Sequence, residues 1–385
     1  MARPYNVLLM AGSMDGGGSE RQTLHLLRHL DRQRFAPHLF LCYRQGSLLD
    51  QIPDDVPVTA FWDQHRSPRL CVPGAIHRMQ VRALRDLIIA NKIDLIYDRT
   101  FHMSMLASPA ARGLQCGRVA TIVSPPDRDV PAAETRFVAV KRWLLRRSYR
   151  RADAIVTVSQ AVADAAARYY GIDRRRFQTI HSPVDLQAIR NEAASANGDP
   201  AIDPVDVNIA CVGRMTEEKG HRFLIDAIDS LRDHPVFDCL QLWMVGDGPL
   251  RSALTAQVRE LKLDRQIHFV GQRASAVPII AQCQLACVPS LYEGLPNVVL
   301  ESMALGVPVI ATTAGGSPEL FGDRTFGDLV APGDSAALAS AILQFAEEPE
   351  SAQEKSIQAK QHVCDKHSIE AVVPRIEQVM LSVIE

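Results

Sequence analysis

Two carboxylates, Glu293 and Glu301, lie eight residues apart around a turn that contains Gly294 and Pro296. Proline fits the first turn of a helix but not its interior, so a helix is predicted to begin at Pro296 or Asn297. Glu293 then lies on the preceding loop and Glu301 one turn inside the helix. A carboxylate at Glu301 can accept both hydroxyls of a ribose diol, and the free amides of the first turn favour an anion. This spacing predicts a sugar-nucleotide site, although Ser290 and Glu293 also have the spacing of a helix capping box.

Two cations follow an earlier strand pattern. The apolar run 208–212 ends at Gly213, and Arg214 and Lys219 precede a helix predicted around 223–228. The flat donor fork of arginine and the point charge of lysine together offset the negative charge on a departing nucleoside diphosphate. The alternative is that both are ordinary surface residues.

Two further predicted strands also end in glycine. The strand 240–245 runs into Gly246, and the strand 267–270 runs into Gly271, Gln272 and Arg273. In a parallel sheet such turns line the carboxyl edge of the strands, where bare backbone lets a base or phosphate approach closely.

From Val212 to about Val330 the chain resembles the C-terminal domain of family 4 retaining glycosyltransferases, which have the α/β GT-B fold. The resemblance covers nearly the whole chain but is looser in the N-terminal half. It implies two Rossmann-like domains whose parallel sheets face a central cleft. The family elements occur in the family order: Gly213-Arg214 with Lys219-Gly220, Gly246-Asp247-Gly248-Pro249-Leu250, Pro289-Ser290 with Glu293-Gly294 and Glu301, and Gly315-Gly316-Ser317-Pro318-Glu319.

The resemblance also implies roles for individual residues. Arg214 and Lys219 would hold the diphosphate, and Glu293 would lie against the transferred sugar, which makes these three the catalytic candidates. Glu301 would hold the ribose, and backbone near Gln272 and Arg273 would meet the nucleobase. The other donor-binding candidates are Gly17, Gly18, Gly213, Gly246, Gly294, Leu295, Pro296 and Asn297.

The N-terminal glycine loop, Gly16-Gly17-Gly18, follows a predicted strand at 5–10. Ser19 and Gln22 have capping-box spacing, and leucines at 24, 27 and 30 predict one buried helical stripe. In the family this loop faces donor phosphates or the acceptor. A nicotinamide-binding loop is disfavoured because the G-x-G-x-x-G spacing is absent and the second strand, at 37–43, ends without the expected acid.

Composition limits the class of protein. The length of 385 residues predicts two domains, with 1–198 binding the acceptor and 199–369 the donor, while a helix at about 370–385 packs back on the first domain. The boundary is predicted in the polar stretch 191–200. A net charge of −2 argues against nucleic acid as a partner. Eight cysteines without C-x-x-C spacing indicate reduced thiols in a cytoplasmic protein, and residues 1–14 lack a convincing signal-cleavage site.

The acceptor side departs from the family pattern. Relatives commonly place a histidine after the strand equivalent to 119–123, where this chain has Ser124, two prolines and Asp127. A retaining transfer can still proceed if the leaving phosphate oxygen takes the acceptor proton. Asp98, Arg99 and His102 follow the strand 93–97 and are acceptor-side candidates together with Ser124 and Asp127, although surface roles remain open for all of them. Asp127 and Asp129 are disfavoured as a metal pair, because Arg214 and Lys219 already supply positive charge in the other domain.

The segment 136–151 is predicted to be a basic amphipathic helix. Such a helix can bind an anionic membrane, or it can bury its leucines and leave its arginines in water.

Together these features predict a retaining, metal-independent hexosyltransferase without a resident cofactor, which moves a sugar from a UDP-sugar to a hydroxyl of a glycan or glycolipid. The alternatives are a nucleotide-sugar epimerase of the same fold and an inactive protein that binds a glycan or nucleotide.

Overall fold

The computed structural model describes residues 3–66, 74–133, 137–195, 200–322 and 324–385. The chain divides into two compact units, one formed by Met1–Pro183 with Ile369–Glu385 and the other by Val184–Ser368. Each unit contains one parallel β-sheet with helices packed against it. The predicted combination of two α/β domains with parallel sheets is confirmed.

The first unit contains a seven-stranded parallel sheet in the order β3-β2-β1-β4-β5-β6-β7. Its strands are β1 (Tyr5–Ala11), β2 (Phe35–Leu41), β3 (Val58–Ala60), β4 (Leu95–Arg99), β5 (Gly117–Ile122), β6 (Ala154–Thr157) and β7 (Phe177–Thr179). Its helices are α1 (Gly18–His29), α2 (Phe61–Gln64), α3 (Ala75–Ala90), α4 (Phe101–Ala110), α5 (Pro126–Ala133), α6 (Val138–Arg150), α7 (Gln160–Tyr170) and α16 (Ile369–Ile384).

The second unit contains a six-stranded parallel sheet in the order β10-β9-β8-β11-β12-β13. Its strands are β8 (Val207–Val212), β9 (Leu240–Val245), β10 (Ile267–Gly271), β11 (Leu285–Val288), β12 (Val309–Thr312) and β13 (Asp328–Val330). Its helices are α8 (Leu186–Ala194), α9 (His221–Ser230), α10 (Arg251–Glu260), α11 (Val277–Ile280), α12 (Asn297–Leu305), α13 (Ser317–Leu320), α14 (Ser335–Glu347) and α15 (Pro349–Lys366).

The sheets form because their strands are short apolar runs that bury both faces, as parallel strands with helices on each side require. Val7, Leu8 and Leu9 of β1 are buried in succession. Helix α1 and the residue after it cover one face of the sheet with the predicted leucine stripe of Leu24, Leu27 and Leu30. Helix α16 contributes Val372 and Met380 to the same core, so the C-terminal helix belongs to the first unit.

The division between the units falls earlier than the polar stretch 191–200. Helix α8 belongs to the second unit because it packs on α11 and α12, and the Ser275 hydroxyl donates a hydrogen bond to Glu192. Val184 begins this unit and donates its amide to the carbonyl of His367 at 2.7 Å. Of the predicted boundary stretch, residues 196–199 lie outside the described residues, and the part before them includes the end of α8.

Two other features of the sequence are placed by the structure. Seven cysteines lie among the described residues and all are free thiols, while Cys71 lies outside them. Within the described ranges no helix is both long enough and apolar enough to cross a lipid bilayer.

Candidate active site

The candidate site lies at the carboxyl edge of the second sheet, where the strand order changes direction between β8 and β11. In open parallel sheets this switch point leaves a crevice between the loops that leave adjacent strands. Backbone hydrogen bonds fasten neighbouring loops to one another there. They are Gly213 N to Val245 O (3.0 Å), Met215 N to Asp247 O (2.9 Å), Leu291 N to Glu218 O (2.7 Å) and Gly316 N to Gly294 O (3.0 Å).

Lys219 and Glu293 meet across this switch point. The Lys219 Nζ lies 2.6 Å from the Glu293 Oε1, and the Ser290 hydroxyl donates to the same oxygen at 2.7 Å. The Glu293 side chain is only 10% exposed and that of Lys219 is 28% exposed. The pair joins the loop after β8 to the loop after β11, so the structure brings together two of the three predicted catalytic residues.

The Ser290 hydroxyl does not form a capping box with Glu293. No helix starts between them, because α12 begins at Asn297 with Pro296 as its N-cap residue. The position of the helix start is therefore confirmed. The Ser290 hydroxyl instead holds the Glu293 carboxylate in place, and the Ser290 carbonyl accepts a hydrogen bond from Thr312 at 2.5 Å.

Two glycines allow the backbone to close around this pair. Gly220 has a φ of +64°, and a β-carbon there would collide with the carbonyl oxygen of Pro289. Gly315 has a φ of +55°, and a β-carbon there would collide with the carbonyl oxygen of Glu293. Only glycine satisfies both the left-handed backbone and the close approach, so these positions fix where Lys219 and Glu293 stand.

Arg214 lies on the loop after β8 with its side chain 72% exposed. Its guanidinium Nη2 is 3.5 Å from Glu218 Oε1, and the same oxygen accepts the Thr216 hydroxyl at 2.5 Å. An exposed ion pair of this kind contributes little to stability. The guanidinium is therefore available to an anionic ligand at small cost.

Glu301 lies one turn inside α12 and is half-buried. The turn that leads into this helix, Gly294, Leu295 and Pro296, is buried. Asn297, the first helical residue, is half-buried, and the amides of this first turn point out of the helix N-terminus. The predicted arrangement is thus present in α12: the Glu301 carboxylate follows the free amides of the helix N-terminus, which favour an anion.

The loops after β9 and β10 carry the remaining donor-side candidates of this domain. Gly246 has a φ of +138°, and a β-carbon there would collide with the Gly213 carbonyl oxygen, so the two glycine turns lie in direct contact. Gln272 and Arg273 follow β10 and are exposed.

His221 begins α9 directly after Gly220 and is buried, with 3% of its surface exposed. Burial lowers the pKa of His221 to about 4, and the positive charge of Lys219 acts in the same direction. His221 is therefore a neutral imidazole next to the loop that carries Lys219. The sequence analysis did not single it out, because a histidine at a helix start is unremarkable until its burial is known.

In the first unit, Gly17 is the N-cap residue of α1 and Gly18 is the first helical residue, and both are exposed. The predicted capping box of Ser19 with Gln22 is wrong. The helix begins one residue earlier than Ser19, and the side-chain amide of Gln22 is buried and donates to the Pro183 carbonyl at 3.0 Å.

Asp98 is placed differently from an acceptor-facing residue. Its side chain is fully buried at the end of β4, where Arg118 Nε donates to Asp98 Oδ2 at 2.6 Å and the Ser104 hydroxyl donates to the other oxygen. These contacts account for Asp98 as half of a core ion pair. Arg99 is also buried, with 6% exposed, whereas His102 on α4 is exposed.

Ser124 and Asp127 lie around the start of α5. The Ser124 hydroxyl donates to Asp129 at 2.6 Å, and Asp127 is exposed in the first helical turn. Carboxylates in a first turn are stabilised by the helix dipole, which gives both aspartates a structural role at the start of α5.

The sequence analysis did not predict the contacts that support these residues. Ser290 fixes Glu293, Glu218 holds Arg214, and Gly315 lets its own loop approach Glu293. Ser290 and Glu218 lie within four positions of their partners, so the spacing was visible, but it did not show which side-chain contact forms. Gly315 was part of a family motif, but its approach to Glu293 joins two separate loops.

Two family models match the chain. One, described as "Glycosyl transferases group 1", matches residues 206–348, and the other, "Glycosyltransferase Family 4", matches residues 16–188. They fall in the second and first units respectively, apart from a few residues at the unit boundary, and together they cover most of the sequence.

Curated relatives match over part of their length. The N-acetylgalactosamine-N,N'-diacetylbacillosaminyl-diphospho-undecaprenol 4-alpha-N-acetylgalactosaminyltransferase of Campylobacter jejuni is 30% identical over 192 residues, which is 50% of this chain and 50% of that protein. The 2-deoxystreptamine glucosyltransferase of Streptomyces kanamyceticus is 30% identical over 271 residues, or 64% of this chain and 66% of that protein. The chain thus spans between half and two thirds of the length of these relatives.

Among solved structures, Anabaena HepE in complex with UDP and glucose superposes with a TM-score of 0.82. The alignment covers 98% of this chain and 99% of HepE, at 21% sequence identity. A likeness at this identity shows the fold. Taken with the two family matches, it shows that this chain is a member of glycosyltransferase family 4 with the two-domain GT-B fold.

Proposed function

We propose that this protein is a retaining hexosyltransferase that moves a hexosyl unit from a UDP-sugar to a hydroxyl of a glycan or glycolipid. The observation that carries the proposal is the contact of Lys219 with Glu293 at the switch point of the second sheet. A cation and a carboxylate held together at a ligand-binding edge suit a substrate that has a diphosphate next to a sugar.

The donor would bind with its diphosphate at the two cations. A lysine ammonium has three donors, and one of them is used by Glu293, so two remain for phosphate oxygens. Arg214 adds an exposed guanidinium on the same loop, which can grip phosphate through two parallel hydrogen bonds. Glu301 would accept the ribose hydroxyls, with the first-turn amides of α12 in front of it. UDP is the proposed nucleotide because HepE was solved with UDP and glucose.

The transfer would take place on one face of the sugar. The acceptor oxygen forms a bond to the anomeric carbon while the bond from that carbon to the β-phosphate oxygen breaks. The acceptor proton passes to the departing phosphate oxygen, and UDP leaves with its negative charge offset by Lys219 and Arg214. Glu293 would orient the hexose, so that most of the rate enhancement comes from position and electrostatics.

Two fixed cations beside the phosphates supply the positive charge that a divalent ion supplies elsewhere, so we propose a metal-independent reaction with no resident cofactor. The names of two relatives support a glycan or glycolipid as the general kind of acceptor. One name includes a sugar linked to diphospho-undecaprenol, and the other includes 2-deoxystreptamine. Donor sugars and lipid-linked acceptors of this kind suit an enzyme that works in the cytoplasm or at the inner face of a membrane.

The test begins with thermal unfolding in the presence of UDP, GDP and ADP, because a ligand that binds only the native state raises the melting temperature. We expect UDP to give the largest increase. The protein is then incubated with UDP-glucose, UDP-galactose and UDP-N-acetylglucosamine, first alone and then with glycan acceptors.

Acceptor-dependent release of UDP and a product with the anomeric configuration of the donor support the proposal. Conversion of a donor to its epimer without acceptor would establish the epimerase alternative instead. Binding of UDP with neither reaction across a broad acceptor set would identify an inactive nucleotide-binding protein.

A further inference from the structure

Helix α6 presents apolar and cationic side chains to solvent in the first unit. Four large apolar residues at its beginning are exposed, namely Phe137 (74%), Val140 (52%), Trp143 (58%) and Leu144 (38%). Exposed apolar groups of this size, concentrated within eight consecutive positions, are unusual for a surface that meets only water.

The opposite face of α6 is fixed in the core, so its outward face has one defined orientation. Leu145, Ser148 and Tyr149 are buried, and the Tyr149 ring packs on Tyr170 with centroids 5.0 Å apart. The hydroxyl of Ser148 donates to the Ser104 carbonyl at 2.7 Å. One prediction was that the helix buries its leucines. Leu145 is buried, but Leu144 is exposed, and so is the neighbouring Trp143.

The exposed stripe changes character along the helix. Val140, Leu144, Arg147 and Arg151 follow the three-and-four spacing of one helical face, so the apolar side chains come first and the arginines last. Trp143 and four arginines line an open groove of about 410 Å³, the arginines being Arg146, Arg147, Arg150 and Arg151. The groove is therefore lined by one aromatic ring and by cations, and the Arg147 guanidinium lies over the Trp143 ring, 5.8 Å from its centroid.

These charges are not neutralised locally. The sequence from 137 to 151 contains no acidic residue, and within the described parts of the chain none of the four groove arginines forms an ion pair with a carboxylate. The pKa of Arg151 is held below its usual value, chiefly by the positive charge of Arg147 and to a smaller extent by burial and by Arg112. An unrelieved cluster of this sort gains energy from any surface that carries negative charge. Arg136, which belongs to the predicted basic segment, lies outside the described residues.

We propose that the exposed face of α6, residues 137–151, binds the surface of an anionic phospholipid bilayer. The apolar side chains at the start of the helix enter the boundary between headgroups and acyl chains, with Trp143 at the level where aromatic rings are favoured. The arginines at the end of the helix contact lipid phosphates, and the groove beside Trp143 has room for a headgroup.

Charge and shape favour a bilayer over the other polyanions. The protein has a net charge of −2, yet the segment 137–151 contains six cations and no acid. A local cluster of this size suits a flat anionic surface rather than the long track of a nucleic acid. The exposed apolar residues gain nothing from a phosphate backbone but gain by leaving water for lipid. Each arginine near an anionic surface strengthens partitioning by roughly fivefold.

The direct experiment is co-sedimentation of the full chain with phosphatidylcholine vesicles that contain or lack phosphatidylglycerol. We expect binding only with phosphatidylglycerol, weakened by added salt. The double variant Arg147→Glu, Arg151→Glu should bind at least about a hundredfold more weakly, since two attractive charges become repulsive. The matched control is Arg259→Glu, Arg265→Glu, which makes the same charge change on the exposed surface of the second unit and should bind like the wild type.

A second readout reports insertion rather than charge alone. Tryptophan emission should shift to shorter wavelength with anionic vesicles, and the shift should disappear in Trp143→Phe while Trp62 and Trp243 remain. Thermal unfolding and UDP binding of every variant establish that the fold is retained.

Equal binding to neutral vesicles, or wild-type binding by the Arg147→Glu, Arg151→Glu variant, would overturn the proposal. So would binding of a single-stranded oligonucleotide through these arginines without binding to anionic vesicles. An emission shift that persists in Trp143→Phe would show that α6 is not the inserted element.

Discussion

Lys219 and Glu293 are 74 positions apart in the chain, yet the ammonium and carboxylate are in contact at 2.6 Å. The contact joins the loops that leave β8 and β11, the two strands between which the order of the sheet reverses. A buried hydroxyl, that of Ser290, holds the carboxylate from a second side. The arrangement keeps a positive and a negative group at fixed positions where parallel sheets bind their ligands.

Replacing Glu293 tests the role of the carboxylate in transfer. Glu293→Ala should abolish turnover, because the sugar loses the group that orients it, while UDP binding falls only modestly since the diphosphate cations remain. The measurements are initial rates with saturating donor and calorimetric titration with UDP. Glu260→Ala, an exposed acid at the end of α10, serves as the control and should behave like the wild type. Near-normal turnover in Glu293→Ala would remove Glu293 from the mechanism.

Ribose recognition by Glu301 is tested by changing the ligand and the protein together. Glu301→Ala should weaken UDP binding by roughly tenfold, as expected for a hydrogen bond to a charged group. The wild type should bind 2'-deoxy-UDP and 3'-deoxy-UDP more weakly than UDP, whereas the variant should bind all three alike. If the variant still discriminates between them as the wild type does, another residue holds the ribose.

The glycine at position 315 allows a stability prediction with a matched control. Position 315 has a φ of +55°, and the β-carbon of Gly315→Ala would collide with the Glu293 carbonyl oxygen. The variant should therefore be less stable and should have sharply reduced turnover. Gly113 has a φ of +73° but nothing within 4 Å of a β-carbon, so Gly113→Ala should cost only the strain of a left-handed backbone, about 1 kcal/mol. The difference between the melting temperatures of the two variants measures the effect of the collision apart from the backbone strain that both variants share. Equal losses of stability, with turnover intact in both, would contradict this account of the Glu293 loop.

His221 predicts a dependence of stability on pH. In the folded protein the pKa of His221 is lowered to about 4, mainly by burial, whereas in the unfolded chain it has its ordinary value of 6.5. Between these two values only the unfolded chain binds the proton, so the free energy of unfolding should fall as pH decreases from 6.5 to 4, by up to about 1.4 kcal/mol per pH unit.

The measurement is urea unfolding at several pH values for the wild type and for His221→Gln. The difference between the two curves isolates His221, since the other histidines are present in both proteins. We expect the variant to lose this part of the pH dependence. Parallel curves would show that the pKa of His221 is the same in the folded and the unfolded protein.

Much of the second domain was predictable because its signals are local. The strands at 208–212, 240–245 and 267–270 and the helix start at Asn297 follow from apolar runs and from the restrictions of proline and glycine. Such rules act over a few residues and need no knowledge of the rest of the chain.

The sequence-based predictions failed where contacts between residues distant in the chain determine the structure. Ser19 has the spacing of a cap, but the buried amide of Gln22 is committed to Pro183, and the helix begins at Gly18. Asp98 resembled a ligand-facing acid because its partner Arg118 lies 20 positions away. The membership of α8 in the second unit likewise depends on packing that composition does not record.

The central claim is that Lys219 binds the diphosphate of the donor at the switch point of the second sheet, and calorimetric titration of UDP into Lys219→Ala tests it most directly. We expect the dissociation constant to rise by roughly tenfold to a hundredfold relative to the wild type, as for the loss of charge-assisted hydrogen bonds, while Lys262→Ala on the exposed surface leaves it unchanged. Equal UDP affinity in the wild type and Lys219→Ala would contradict the assignment of this site.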